Sequence, residues 1–427
     1  MKILVVSYES WRDTNSGGNV LSDILRAFPD ADIAQIYCWD ELPQNSICQK
    51  YFQICESMLL TDKKGRRLEE KDYGAEASVP SDSKEAEVKN KIPSLLKSPA
   101  LLARELMWEI FNWKTKELES FINEFEPDVI FAPCVPYFHV LKLALHVKSI
   151  AKCPIISYVV DDVYSLKKFR FSPTFWINKL IRRKYVKRFF SECSLIYTMT
   201  DMQMEEYRKI FRRPMKILCK SADFEERVRG IGSPISFIYA GNLLWKRWKV
   251  LEEIAKALAD INESEIKAQL HVFSGSKMKP RTLQMLNDGR NSVFHGLIPY
   301  SELKDRYKES DVAIFAESFD LKNRLITRLS FSTKIIDCMS SGCAILAIGP
   351  GSQAGMAYLK DNDAAICVNR IKDIPAAVRR ITELPQLITE YSEKAFLLGK
   401  RNHMKEEIEK MLRQDFYDIA AGRAPVL

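Results

Sequence analysis

The sequence predicts an α/β protein of two domains, each a parallel sheet with helices on both faces, facing each other across a cleft. Three observations carry this. Short apolar runs alternate with stretches of helical period in two separate series, the pattern of parallel strands joined by crossover helices. The 427 residues exceed what one ordinary core organises, so two domains of roughly 200 residues each are expected. Residues 330–350 read as a polar loop, one short helix and a buried strand, and in such sheets ligands sit outside the carboxyl ends of the strands.

Taken in order, residues 3–6 form a first strand, a loop spans 7–18, a helix occupies 19–27 and a second strand 31–37. Residues 62–95 are charged and poor in apolar groups, and are expected to be a mobile loop with partial helix. From 102 to 125 the spacing of Leu106, Ile110, Trp113, Leu118 and Ile122 is helical. Strands follow at 127–132 and 154–160 with a helix at 138–150 between them, and strands at 194–199 and 215–220 end the first series. Two glycines and charge at 225–234 suit a hinge. The second series runs strand 236–239, helix 251–261, strand 269–274, helix 281–287, strand 292–295, helix 300–310 and strand 312–315. The 330–350 segment, a strand at 364–367 and amphipathic helices at 374–384 and 387–411 complete the chain. The domains expected are 1–224 and 225–395, with helices in 396–427 packing back on the first.

Composition is that of a soluble globular protein, 46% apolar and 28% charged. A net charge of +8 suits polyanionic ligands or an anionic membrane surface. The ten cysteines are scattered singly, without CxxC or paired spacing with His, which reads as buried thiols in a reducing compartment. Met1-Lys2 is followed at once by a strand, and nowhere do 18 uncharged apolar residues run together. A cytoplasmic location is expected, peripheral on the inner face of the plasma membrane if the substrate is lipid-anchored.

The 330–350 segment carries chemistry as well as structure. Ser332 and Thr333 are good helix caps, and Ile335, Ile336 and Met339 supply an apolar face. A loop opening into a helix presents unpaired backbone N–H groups and a positive dipole end, and Lys334 adds a full charge: an anion site. Asp337, one turn on, can accept from ribose hydroxyls. The same residues also make an ordinary, well-capped αβ unit. No G-x-G-x-x-G is present, which argues against a dinucleotide cofactor.

Several marks in fixed order resemble the GT-B glycosyltransferases, most closely glycosyltransferase family 4 and its capsule and exopolysaccharide relatives. They are Gly17-Gly18, Pro127-Asp-Val-Ile, Asp161-Asp162, Tyr239-Ala-Gly-Asn-Leu, His295-Gly296, Ser310-Asp311-Val312 and the 330–350 segment. The resemblance implies two Rossmann-like domains, an acceptor-side domain first and a nucleotide-sugar domain second. It implies transfer of a sugar from a nucleotide-diphosphate donor to a growing, lipid-linked surface polysaccharide of bacterial type, with retention of configuration. Neither metal nor further cofactor is implied. Gly17 and Gly18 would admit the donor phosphates. Asn242 and Arg247 stand where the family carries Arg and Lys, with Lys246 alongside, so Arg247 would neutralise the leaving diphosphate. Ser332, Thr333, Lys334 and Asp337 would complete the donor site. Asp161 or Asp162 would address the reacting sugars as base or hydrogen-bond acceptor; a metal-binding pair and a cap for the next helix are the alternatives. The family's Glu-x7-Glu pattern falls on Leu329 and Asp337, so the first carboxylate is missing, and Glu317 is a candidate stand-in. His139 and His295 are assigned no role. A non-transferring epimerase or hydrolase of the same fold, and a binding subunit without catalysis, are the rival readings.

Residues 167–190 hold nine cations, seven aromatics and no acid. Ile177, Leu180, Ile181, Tyr185 and Phe189 form an apolar stripe, with Lys179, Arg182, Arg183 and Lys187 on the other side. That suits an interfacial helix, in which Trp176, Arg182, Arg183 and Lys187 would contact membrane or acceptor. A helix docked on the sheet with solvated cations, or a nucleic-acid track, would look similar; nucleic acid is not the expected partner.

Overall fold

The computed structural model describes residues 1–13, 16–61, 64–68, 97–225 and 230–425. The chain divides into two compact units, Met1–Leu218 with Glu409–Leu427, and Cys219–Ile408. The boundaries expected at 224/225 and 395/396 thus fall earlier and later. Ala222 forms a β-bridge with Met404, which ties the segment after Leu218 to the second unit. The helix Gln386–His403 packs on the second sheet, so the return to the first unit begins only at Glu409.

The first unit is an eight-stranded sheet in the order β4-β3-β2-β1-β5-β6-β7-β8. The strands are β1 Lys2–Ser7, β2 Asp32–Tyr37, β3 Lys50–Gln53, β4 Arg66–Leu68, β5 Val129–Pro133, β6 Ile155–Val159, β7 Cys193–Thr198 and β8 Met215–Ile217. All neighbours are parallel except β3 and β4. Ile3 to Val6 are fully buried, as strands covered on both faces must be. β3 and β4 are additions to the predicted set. They are short, and β4 lies within the stretch expected to be a loop, whose residues 62–63 and 69–95 lie outside the described residues. The helical stretch 102–125 is two helices, Lys97–Ile110 and Lys116–Phe125. They part where the Thr115 hydroxyl accepts from Leu118 N at 3.3 Å and starts the second.

The second unit is a six-stranded parallel sheet in the order β11-β10-β9-β12-β13-β14. Its strands are β9 Ile235–Ala240, β10 Ala268–Phe273, β11 Ser292–Gly296, β12 Val312–Ala316, β13 Ala344–Ile348 and β14 Ile366–Val368. The core lies between this sheet and its helices, with Phe237, Leu251, Leu258, Leu270, Leu346 and Ile374 fully buried. The strand order reverses between β9 and β12, a topological switch point. Their pairing covers only Phe237 with Val312 and Ile238 with Ala313. Beyond those residues no pairing joins the two strands, and the carboxyl ends at such a switch point are where open α/β sheets bind ligands. Residues 226–229 of the expected hinge lie outside the described residues.

The single C-terminal helix read at 387–411 is broken into Gln386–His403 and Lys405–Ala420. Ala222 inserts at the break, donating to His403 O at 3.0 Å and accepting from Lys405 N at 3.2 Å. The tail of Lys405–Ala420 then buries Phe416 against Phe28 and Phe131 of the first unit. Asp415, 1% exposed, accepts from Tyr197 Oη at 2.7 Å and Lys216 Nζ at 2.5 Å. All ten cysteines are thiols, buried except for Cys367. No helix among the described residues is long and apolar enough to cross a membrane.

Replacing one member of this buried cluster leaves a phenol and an ammonium without their acceptor. Asp415→Ala should lower unfolding free energy by about 3 kcal/mol, read from urea denaturation. A loss below about 1 kcal/mol would mean that Asp415 is not what fastens the returning segment.

Candidate functional site

The densest set of predicted residues lies at the β9/β12 switch of the second unit. β9 ends in Ala240, and Gly241 follows at φ +147°, a backbone state that L side chains rarely adopt. A Cβ there would fall 1.6 Å from Lys334 Nζ. The Lys334 ammonium therefore rests on bare backbone, and only glycine leaves it room. Burial, and then the neighbouring Arg247 charge, pull the Lys334 pKa down to about 8.

Arg247 reaches the same place from a short 3-10 turn, Leu244–Lys246. Trp245 and Lys246 within it sit at φ +60° and +65°, a strained left-handed pair of the kind that accumulates at functional sites. The turn is held by Asn323 Nδ2, which donates to Trp245 O at 2.8 Å. Arg247 Nη2 donates to both Glu317 carboxylate oxygens, at 2.9 and 3.1 Å, and Nη1 to Asn242 Oδ1 at 3.2 Å. The ion pair is mostly buried, its side chains 13% and 8% exposed. Glu317 follows β12, and its own N–H donates to Ile348 O at 2.8 Å. Asn242 thus serves Arg247 as an acceptor that orients it. Glu317 is bonded to Arg247, and the Lys334 ammonium feels the Glu317 and Asp337 carboxylates through space.

The remaining residues of the 330–350 segment differ from expectation in detail. Thr333 is already helical, at φ −57° and ψ −19°, and its hydroxyl caps nothing. A side chain in that conformation is not aimed back at the first N–H groups. Ser332 and Thr333 act through their carbonyls, which accept from Ile335 and Ile336 N at 3.0 and 3.1 Å. Lys334–Ser340 is barely two turns long, too short for much dipole. The charge at this site is therefore that of side chains. Asp337 Oδ1 accepts from Lys220 Nζ at 2.6 Å and Tyr300 Oη at 3.0 Å. Burial opposes the charge on Lys220, but Asp337 outweighs it and the pKa is raised. Neither Lys220 nor Tyr300 was expected. Lys220 comes three residues after the end of β8 with no motif around it, and Tyr300 reads only as a helix start. Leu329 is fully buried; its position serves the core and presents nothing polar. Lys246 turns elsewhere, pairing with Asp320 at 2.5 Å. It lines a cavity of about 240 Å³ whose walls include none of Arg247, Lys334 or Asp337.

In the first unit, Gly17 and Gly18 lie in the first turn of the helix Ser16–Leu25, where a loop was expected. A Cβ on Gly18 would meet Arg12 O at 1.9 Å, so this glycine admits the protein's own backbone. Asp162 is 8% exposed and is spent on its own loop. It accepts from Tyr164 N, Ser165 N and Tyr207 Oη at 3.2, 2.9 and 3.3 Å, and from the Ser165 hydroxyl. Burial works against its charge, yet these donors hold its carboxyl below the usual range. Asp162 is thus a turn residue, and Asp161, exposed beside it, is the one turned to solvent. His139 pairs with the buried Glu105 at 2.9 Å and stacks on Trp108.

The basic segment forms the helix Pro173–Ser191, capped by Ser172. Its faces are not those of the predicted stripe. Lys179 is buried, donates to Lys168 O at 3.1 Å, and burial lowers its pKa to about 8. Arg183 packs 3.8 Å over the Tyr164 ring, and burial lowers the Arg182 pKa. Trp176 Nε1 donates to Arg170 O at 3.0 Å. Ile177 and Leu180 face solvent instead, while Lys187 is exposed. The cause is local: the loop 162–172 offers the carbonyls of Lys168 and Tyr164 and the Tyr164 ring, which draw Lys179 and Arg183 inward.

Gly241→Ala tests whether the glycine seat sets the lysine. Lysine side-chain NMR should show Lys334 titrating near 8 in the parent chain and moving toward 10.5, the ordinary lysine value, in the variant. An unmoved titration would place the cause elsewhere.

Residues 234–386 match the family model described as "Glycosyl transferases group 1". A search of curated protein sequences finds no match. Solved structures match over nearly the whole chain at low identity. The HepE protein of Anabaena, solved with UDP, has a TM-score of 0.62 at 12% identity, covering 98% of this chain and 100% of that one. Sucrose-phosphate synthase from Thermosynechococcus elongatus gives 0.61 at 12%, covering 99% and 100%. WaaG, a glycosyltransferase involved in lipopolysaccharide biosynthesis, gives 0.56 at 12%, again covering 99% and 100%. The two α/β units with their parallel sheets therefore have the GT-B glycosyltransferase fold, and Gly241, Arg247, Glu317, Lys334 and Asp337 all lie in the segment matched by the group 1 family.

Proposed function

We propose that this chain is a glycosyltransferase that takes a sugar from a nucleotide-diphosphate donor and passes it to a lipid-linked acceptor in the assembly of a bacterial-type surface polysaccharide. The observation that carries this reading is the pair of cations, Lys334 seated on Gly241 and Arg247 beside it, at the switch point of the family-matched unit. In sugar transfer from such a donor, negative charge grows on the departing diphosphate. Fixed cations in a partly dehydrated site stabilise that charge more than they stabilise the ground state. Lys334 and Arg247 would take this role without a metal ion. Asp337 would hold the ribose hydroxyls in place of Lys220 and Tyr300. Asp161 would address the reacting sugars. Retention of configuration follows from the resemblance to family 4, and the relatives solved with UDP and with UDP-glucose support a nucleotide-sugar donor.

A second reading has one observation in its favour. Leu329 is fully buried where the family carries a carboxylate, which suits a subunit that binds donor without transferring it. Glu317 is the carboxylate nearest to replacing it, and its bond to Arg247 places it at the cation pair.

A thermal-shift panel of nucleoside diphosphates and their sugars tests donor binding directly. A ligand at 100 times its Kd stabilises by about 2.7 kcal/mol, and no shift from any member would end the proposal. With a donor identified, Arg247→Ala should cut turnover at least roughly 10²-fold with the fold intact; binding without turnover in the parent chain would favour the second reading.

The pH dependence has a definite sign. In the ligand-free protein Lys334 is charged below about 8 and neutral above it. A bound diphosphate favours the charged form, so affinity should be full below pH 8. It should fall as pH rises through that value, by up to about tenfold per unit. Isothermal titration from pH 7 to 9.5 reads this, and Lys334→Met should flatten the profile.

A further inference from the structure

The cations of the helix Pro173–Ser191 divide into two groups. Lys179 and Arg183 turn inward and brace the loop before the helix. Lys179 Nζ donates to Lys168 O at 3.1 Å and lies 5.4 and 5.6 Å from the Phe175 and Trp176 rings. Arg183 Nη1 donates to Tyr164 O. On that braced loop Phe169 contacts Phe171 edge-on at 4.7 Å and Trp176 at 5.6 Å. Phe171 is nonetheless 95% exposed and Phe169 54%. A phenylalanine held out in water by a fixed loop forfeits its transfer free energy, and such a cluster marks an interaction surface.

The outward face of the helix continues it. Ile177 and Leu180, exposed by 48% and 57%, lie next to the aromatic loop. Lys184, Lys187 and Arg188 follow on the same side and are exposed. From Ile177 to Arg188 is about 16 Å at 1.5 Å per residue. The surface therefore runs from an apolar end to a cationic end, and no acid occurs from 167 to 190. The aliphatic side chains distinguish a bilayer from a nucleic acid. A single strand would need flat rings along its path for successive bases; here the rings stop at Phe169 and Phe171, and Ile177 and Leu180 continue the surface with aliphatic side chains that suit acyl chains.

We propose that this surface docks the protein on an anionic lipid bilayer, with Phe169 and Phe171 entering the acyl boundary and Lys184, Lys187 and Arg188 lying on the headgroups. The purpose of such docking rests on the lipid-linked acceptor proposed above; the docking itself does not. It also replaces Trp176, Arg182 and Arg183 as membrane contacts, since those side chains are committed to the loop and the interior.

The test is flotation of the purified full chain with vesicles of phosphatidylcholine alone and of phosphatidylcholine with 30% phosphatidylglycerol. The parent chain should float with the anionic vesicles and stay down with the neutral ones. Phe169→Ser with Phe171→Ser should abolish flotation, and Lys184→Glu, Lys187→Glu and Arg188→Glu together should weaken binding by about 10²-fold or more. Thermal unfolding and the shift given by the best nucleoside diphosphate should stay as in the parent chain, which shows that the variants fold. No flotation of the parent chain, or flotation indifferent to both variants, overturns the proposal. So does a concentration-dependent dimer, or binding to single-stranded RNA in place of vesicles, that the phenylalanine variant removes. A diphosphate shift without flotation would sink the docking surface alone, and flotation without any shift would sink the donor site alone.

Discussion

An ammonium group pressed onto glycine backbone, with a guanidinium for a neighbour, is the constraint on which the second unit turns. Taking Lys334 partly out of water next to Arg247 is unfavourable on two counts, desolvation and like charge, and the depressed pKa records both. The backbone around the pair is unusual in several places. Gly241 has a φ that few residues tolerate, Trp245 and Lys246 are held left-handed, and β9 and β12 part after two paired residues. The sheet topology sets the switch point, and the turn after β9 brings Arg247 to it beside Lys334.

Glu317 makes that charge tolerable. Its two oxygens take both hydrogen bonds from Arg247 Nη2, so the buried guanidinium is not left without a counter-ion, a state that would be costly. A similar balance holds one turn along the motif helix, where Lys220 and Tyr300 satisfy Asp337. The second unit thus supplies internal partners for both Arg247 and Asp337. Under the donor role proposed for Arg247 and Asp337, a nucleotide would compete with these contacts, which would lower apparent affinity and raise selectivity for ligands offering several anionic oxygens together.

The architecture was legible because parallel strands buried on both faces leave continuous apolar runs, as at Ile3–Val6 and Ala344–Ile348. The elements that escaped were those whose signal is tertiary. β3 and β4 are short edge additions, and the helix break at Met404 exists because Ala222 inserts there. Of the site, Arg247 and Lys334 stood out as cations in a recognisable register. The roles of Asp162, Lys179 and Arg183 did not. Sequence spacing places a side chain on a helix face or a strand end, but does not reveal which loop carbonyls await it. For Asp162 those were the N–H groups of its own turn, and for Lys179 and Arg183 the carbonyls of Lys168 and Tyr164. Gly18 teaches the same lesson from the other side, since its missing side chain accommodates Arg12.

The return of Glu409–Leu427 to the first unit bears on the order of folding. In chain order the second unit is an insertion within the first. As the polypeptide leaves the ribosome, every residue of Cys219–Ile408 is available before the first unit has its closing segment, with Phe416 against Phe28 and Asp415 beneath Tyr197. The amino-terminal sheet, although synthesised first, must wait with an apolar surface uncovered. The later-made unit can reach its final contacts sooner, and early chaperone demand falls on the half that emerges first.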